Sequence, residues 1–386
     1  MILYYSNQDA NTNDDAISRR TQLLKQSLSK TLTHYYPLAG QMKDPLSVDC
    51  NDEGVYYVQA RANLTLSEYL SRPDLTSLQN LMPRQASWYE QTSRSFVVMI
   101  QETTFVCGSL AIGVLVFHMI MDCYAAALQH RGNSDGSFRT LSQTRETLHK
   151  EICVDASSID NLKVLATSSS VKNPTHVEVV SAFLFECVTA ILKATSGIDR
   201  PTASSHVVNL RGKATPPIPE SSFGNLSWVV YALSLPKETK LTPLVLKGRE
   251  AIKKIESDFV KKIQGDGGFP KLYEMIKETG KTLTSTTFCN GVNFIGVTSW
   301  CGFGLYEVDF GWGKPTWASS IGFSTDATAP ILNSIILMDS KLEKGIEAWV
   351  FMDKEDLVLL DKYEELLAYA SINPSPMKLG MLVSHP

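Results

Sequence analysis

The stretch SFVVMIQETTFVCGSLAIGVLVFH, Ser95 to His118, narrows the possible folds more than any other part of the chain. It holds two runs dense in β-branched, aromatic and aliphatic residues, split by Cys107-Gly108-Ser109. Such runs read as strands, and the small residues between them as the turn of a hairpin. The second strand ends in GVLVFH and delivers His118, and Asp122 follows four residues later. The end of a buried strand is a costly place for a titratable pair unless both side chains have partners or work to do. From Asp122 the sequence CYAAALQH turns helical, which places that carboxylate near a helix N-terminus, where negative charge is favoured.

The remaining pattern mixes strands and helices. Met1–Tyr5 reads as a strand stub, and Ile17–Tyr35 has helical spacing that ends at YYPLAGQ. GVYYVQA reads as a strand. Thr175 with Glu178 three residues on is a capping-box signal for a helix after Pro174. SSHVVNL, LSWVVYALSL and CNGVNFIGVTSW read as strands, NSIILMDS and GIEAWVFM as a strand pair, and KEDLVLLDKYEELLAYA as a last helix. Thr242–Ile263 reads as one basic amphipathic helix. This order predicts an α/β protein of two domains, each a mixed sheet flanked by helices. The expected division is residues 1–150, a polar linker over 151–172, and 173–386, with chain beyond about residue 314 crossing back to the first domain.

Composition excludes some function classes. The formal charge of −4 argues against nucleic acid as a partner, since phosphate binding needs a basic surface. No apolar stretch approaches a membrane span. The start MILYYSNQDANTNDD lacks the basic region of a signal peptide, so a cytoplasmic protein is expected. The seven cysteines contain no C-x-x-C pair, so neither a disulfide frame nor a metal site is expected.

His118 can act as a general base, because a neutral imidazole accepts a proton near neutral pH. A lone histidine on an apolar strand is more often a satisfied core residue. Asp122 can orient that histidine or pair with an arginine, of which Arg211, closing HVVNLR, is the best placed. Thr298 and Trp300, in TSW at a strand end, offer a hydroxyl and an indole N–H to a developing oxyanion, or simply pack in the core. VDFGWG reads as a structural turn, because no Lys-Ser/Thr follows in phosphate-loop register. GDGGF, Gly265–Phe269, reads as a surface turn. Lys247, Arg249, Lys253, Lys254, Lys261 and Lys262 form a solvated basic face that can also attract an anionic, phosphate-bearing cofactor. No G-x-S-x-G elbow supports serine catalysis, and Cys123 lacks the electropositive setting of a nucleophile.

Taken together, HMIMD, VNLRGKATPPIP, TSWCGFGLYEVDFGWGKP and GIEAWV, with YYPLAGQ upstream, resemble the plant BAHD acyltransferases, and SVDCNDEGVYYVQA is similar to their vinorine synthase-like, alkaloid O-acetyltransferase branch. That family carries H-x-x-x-D and D-F-G-W-G in this order. The resemblance implies the two-domain CoA-dependent acyltransferase fold with a channel between the domains, acyl-CoA (acetyl-CoA in this branch) as co-substrate, no metal, and a monomer. It implies a small-molecule alcohol as acceptor, for example a hydroxyl of an alkaloid. His118 would be the base for direct attack on the thioester, and Asp122 would pair with Arg211. Trp300 would donate to the oxyanion. Asp309, Phe310, Gly311, Trp312 and Gly313 would shape the domain junction and the cofactor side. The chain departs from the pattern at Cys123 and Gly302, where the family often has Gly and Arg. It is also expected to begin inside the first domain and to be shortened after Asp122. A relative impaired in catalysis, acting as a binding protein, is the alternative.

Overall fold

β1 (Ile2–Tyr5) is buried at all four positions, because it is an inner strand of a sheet and not the stub its position suggests. The computed structural model describes residues 1–7, 14–44, 47–71, 75–83, 95–117, 147–255, 257–265, 267–284, 291–321, 333–341 and 344–374. After β1 come α1 (Asp14–His34), the small hairpin β2 (Gln41–Asp44) and β3 (Ser47–Asp49), β4 (Tyr56–Ala62), α2 (Leu66–Leu70) and α3 (Leu75–Asn80). Then β5 (Val98–Phe105) and β6 (Leu110–Val116) form the expected antiparallel hairpin. Gly108 sits in its turn at φ 75°, a conformation that favours glycine.

The second half begins with β7 (Thr147–Val154) and continues through α4 (Ala156–Ala166) and α5 (His176–Ser196). Next come β8 (Thr202–Asn209), β9 (Ser227–Ser234), α6 (Leu241–Lys253), α7 (Ser257–Ile263), α8 (Gly268–Thr284) and β10 (Asn293–Ser299). The described chain closes with β11 (Trp317–Ser319), β12 (Asn333–Asp339), β13 (Ile346–Asp353), α9 (Lys354–Leu360), α10 (Glu364–Leu367) and β14 (Ser371–Ile372).

Two mixed sheets result among the described residues. One has five strands in the order β11-β1-β6-β5-β4, with only the β4–β5 pair parallel. The other has seven, β14-β7-β13-β12-β10-β8-β9, parallel across β12-β10-β8. The strand pair β12/β13 forms as its pattern predicts. β7 pairs with β13 over its whole length, so the chain has entered the second sheet by Thr147. β11 pairs with β1, so a later segment returns to the first sheet.

Side-chain alternation explains how the seven-stranded sheet joins both halves. Ile335, Leu337, Ala348, Val350 and Met352 pack with Val180, Leu184 and Val188 of α5. Their neighbours Ile336, Met338, Trp349 and Phe351 point the other way and pack with Ile2–Tyr5 and Trp317 of the five-stranded sheet. Helix α5 starts where its capping box predicts: Glu178 N–H donates to Thr175 Oγ1 at 3.2 Å, and Thr175 N–H donates to the Glu178 carboxylate at 2.7 Å.

Four further expectations need correction. The polar stretch read as a linker over 151–172 is the end of β7, then α4. Its polar residues mislead because Glu151 is buried between the sheets, while Ile159, Leu162 and Ala166 give α4 an ordinary apolar face. The basic helix read over Thr242–Ile263 is two helices, α6 and α7, with the chain turning at Lys254–Ile255. The last helix is likewise two short ones, α9 and α10, separated at Asp361–Tyr363. GDGGF ends as a turn at Gly267, because α8 starts at Gly268.

Candidate active site at the sheet junction

β6 carries the chain to the first motif. Its last residue, Val116, faces Val98 in register, and Phe117 N–H donates to Val97 O at 2.8 Å. His118, Asp122 and Cys123 lie outside the described residues. The position of the strand end that leads to His118 is nevertheless fixed by this pairing.

Gly113, halfway along β6, is required there. A Cβ on it would meet Leu81 O at 2.1 Å and Met82 Sδ at 3.0 Å. Gly113→Ala is therefore expected to cost about 1–3 kcal/mol by overpacking against a carbonyl that cannot swing away. A thermal melt checks the loss of stability. An unchanged melting temperature would mean that the 78–82 turn yields freely.

Arg211 follows β8 and is 8% exposed. Its guanidinium donates to Ser222 O at 2.8 Å, to Gly224 O at 3.3 Å and to Asn209 Oδ1 at 3.5 Å. It thus draws the loop after Pro219 into a fixed shape. Gly224 at φ 127° lies in that loop, where an L side chain would be strained. The same loop reaches the five-stranded half: Tyr35 Oη donates to Ser221 O at 3.0 Å, and the Tyr35 and Phe223 rings lie 6.4 Å apart. Phe223 and Phe117 pack on one patch formed by Leu38, Met42, Val97 and Val98. A loop pinned by Arg211 therefore shares a core patch with the end of the strand that leads to His118. Arg211 is legible as a candidate from the sequence, whereas the roles of Tyr35 and Phe223 emerge only from these contacts. The aromatic residue in SSFGN, after a proline-rich loop, was the available signal.

Thr298 and Trp300 stand two residues apart at the end of β10. Thr298 is level with Ile336, which faces the five-stranded sheet, and Trp300 packs on the same core. Both are half-buried. Trp300 is held by its own backbone, whose N–H donates to Leu337 O at 2.7 Å. This arrangement gives two possible donors on one wall of the junction.

The D-F-G-W-G segment closes on itself. Asp309 Oδ1 accepts from Gly311 N–H at 2.7 Å and Gly313 N–H at 3.0 Å. Those backbone donors hold its carboxyl below the usual carboxylate range. Gly311 and Gly313 have φ of 104° and 108°, so the turn needs glycine at both. Phe310 and Trp312 stack at 5.5 Å, and both meet the edge of Tyr5 on β1 at 6.2 and 6.1 Å. Tyr5 Oη donates to Val308 O at 3.2 Å. The loop is therefore a structural turn docked on the first strand, and Asp309 is committed to it.

The basic residues divide. Arg249 pairs with Glu178 at 2.7 Å, Lys247 with Glu238 at 3.1 Å and Lys261 with Asp258 at 3.8 Å. Lys253, Lys254 and Lys262 are exposed and make no ion pair among the described residues. These last are the cations still available to an anionic ligand. Another pair with a chemical look is Ser204 Oγ and His206 Nε2, 3.0 Å apart. It lies on the opposite face of the sheet, beneath Gly248 of α6, and burial pushes the imidazole down to about 4. A half-buried histidine under a helix, pushed toward its neutral form, is packing. No group of three or more metal-binding side chains occurs among the described residues, and none of the described helices is long and apolar enough to cross a membrane.

A model of the Transferase family matches residues 2–130 and 133–367. The chain is 40% identical to epi-neemfruitin B 7-O-acetyltransferase of Melia azedarach, over 98% of this chain and 91% of that protein. It is 38% identical to limonoid 7-O-acetyltransferase of Citrus sinensis, with the same coverage of 98% and 91%. Among solved structures, vinorine synthase superposes with a TM-score of 0.72 at 28% identity, covering 96% of this chain and 89% of that one.

Proposed function

This chain belongs to the Transferase family, the BAHD acyltransferases, and from that membership we propose that it moves an acetyl group from acetyl-CoA to a hydroxyl of a polycyclic plant metabolite, a limonoid-type alcohol before an alkaloid. The observation that carries this reading is identity along nearly the whole chain to acetyltransferases acting at such a hydroxyl.

In this reading His118, two residues after β6 in the sequence, takes the proton from the acceptor hydroxyl as its oxygen attacks the thioester carbonyl carbon. The tetrahedral oxyanion is met by donors on the β10 wall, Trp300 Nε1–H and Thr298 Oγ1–H. Collapse breaks the C–S bond, and the imidazolium returns its proton to the leaving CoA thiolate. Ester and free CoA are the products, and no acyl-enzyme forms. Asp122 pairs with Arg211, which couples the histidine segment to the loop held at Ser222 and Gly224. Lys253, Lys254 and Lys262 supply positive charge for the phosphates of CoA.

The test is release of CoA thiol from acetyl-CoA by the purified chain, with and without limonoid and alkaloid alcohols. Release that depends on acceptor, with acetyl ester formed in equal amount, is the expected result. Release without acceptor would make the protein a thioester hydrolase. A cooperatively folded protein that binds acetyl-CoA and never turns it over would be the binding relative instead.

A further inference from the structure

Glu151 on β7 and Glu347 on β13 are 3% and 0% exposed. They belong to the face of the seven-stranded sheet that meets the five-stranded one, because Trp349, directly opposite Glu151, packs in the shared core. Glu347 is level with Cys153, so the two glutamates are diagonal neighbours on adjacent antiparallel strands, close enough for the charge of one to act on the other. Ser340 Oγ donates to Glu347 Oε1 at 3.1 Å, and Tyr306 Oη lies 3.5 Å from Oε2. Glu151 Oε1 has no hydrogen-bond partner among the described residues.

The surroundings offer hydrogen-bond donors, the Lys341 backbone N–H and the Trp317 indole among them, but little opposite charge. Facing the pair are His149 and Cys153 of β7, Ser340 after β12, Tyr306 before the D-F-G-W-G turn, Tyr4 of β1, Trp317 and Ser319 of β11, and Tyr69 of α2. Lys341, next to Ser340, is exposed. His149 alone in this set can become a cation, and its ring is stacked on Trp349 at 5.1 Å. Two carboxylates in so dry a place cannot both ionise cheaply.

We infer that Glu151 and Glu347 form a proton-sharing carboxyl pair that clasps the two sheets and holds the turn leading into D-F-G-W-G against β13. Tyr306 stands three residues before Asp309, so Glu347 is a positioning residue for that loop. Burial raises both carboxyls well above the usual carboxylate range, and for Glu151 the charge of Glu347 adds to it. The sign follows. The folded state holds protons that the unfolded chain gives up, so stability is present at low pH and is lost as pH rises through the raised values. Ionisation pushes β7, β13 and the Tyr306 turn apart.

Thermal melts of wild type, Glu151→Gln and Glu347→Gln between about pH 5.5 and pH 8.5 test this. The wild-type melting temperature is expected to fall by roughly 3–5 °C across that range, and each glutamine variant to flatten the fall, since an amide cannot ionise. The part concerning catalysis rests on the proposed acyl transfer. There, KM for acetyl-CoA is expected to rise with pH in wild type and to stay flat in the variants, with kcat less affected. A wild-type melt that does not change with pH, or a fall kept by both variants, overturns the pair. A fall removed only by His149→Gln assigns the titration to the imidazole and also overturns it. The pH-dependent melt with no acyl transfer at all would sink the functional reading and leave the clasp standing.

Discussion

His118→Ala is expected to lower acceptor-dependent acyl transfer by about 10²–10⁴-fold, the range that general-base catalysis supplies. The loss should fall on kcat, with KM for acetyl-CoA nearly unchanged, because the interaction removed is made in the transition state and not with bound cofactor. His118 follows a strand whose end is fixed by Phe117 N–H to Val97 O at 2.8 Å. Beside that end lies the loop that Arg211 and Tyr35 hold in place. Under the proposed mechanism, a base that follows so firmly paired a strand would be positioned before substrate arrives, and positioning adds to the rate effect. The variant's thermal melt must match wild type for the comparison to count. Activity within a factor of a few of wild type would remove His118 from the mechanism.

The largest expected effect on stability is at Trp349. Its side chain is 1% exposed, lies 5.9 Å from Trp317 between ring centroids, and joins Ile336, Phe351 and Tyr4 in the core that both sheets share. Trp349→Ala opens a cavity in the core where the two sheets meet. A loss of about 3–5 kcal/mol is expected, transfer and cavity terms together. Val164→Ala is the control. That side chain is 74% exposed on α4, so its loss should stay within about 0.5 kcal/mol. Denaturant or thermal unfolding of the two variants checks the contrast. If Trp349→Ala unfolds with wild type, the sheets are held together elsewhere.

Local signals predicted local structure well in this protein. The hairpin at Cys107–Ser109, the capping box at Thr175 and Glu178, and the strands β8, β9, β12 and β13 all follow from apolar pattern, turn chemistry and capping. Those are interactions between residues close in sequence, so a single chain reading can find them. Elements whose polar residues are buried by distant partners were misread. β7 looks like linker because His149, Glu151 and Cys153 point from one face, and only the opposing sheet makes that face an interior. β1 looks like a stub because its cover comes from β6 and from β11, some three hundred residues later.

The candidate site divides the same way. H-x-x-x-D, D-F-G-W-G, Arg211, Thr298 and Trp300 could be named from the sequence, together with the kind of chemistry they resemble. That Arg211 spends its donors on the carbonyls of Ser222 and Gly224 could not. Nor could the docking of D-F-G-W-G on Tyr5, or the meeting of Glu151 and Glu347. Residue types and local conformations are written in the chain, because propensity, capping and turn geometry act over a few residues. Which faces become interior, which carboxyls are buried side by side, and which loop packs near the strand end before His118 emerge only when distant segments assemble. Those outcomes depend on burial by segments far away in the chain, and burial sets the free energy of every charged and polar group it encloses.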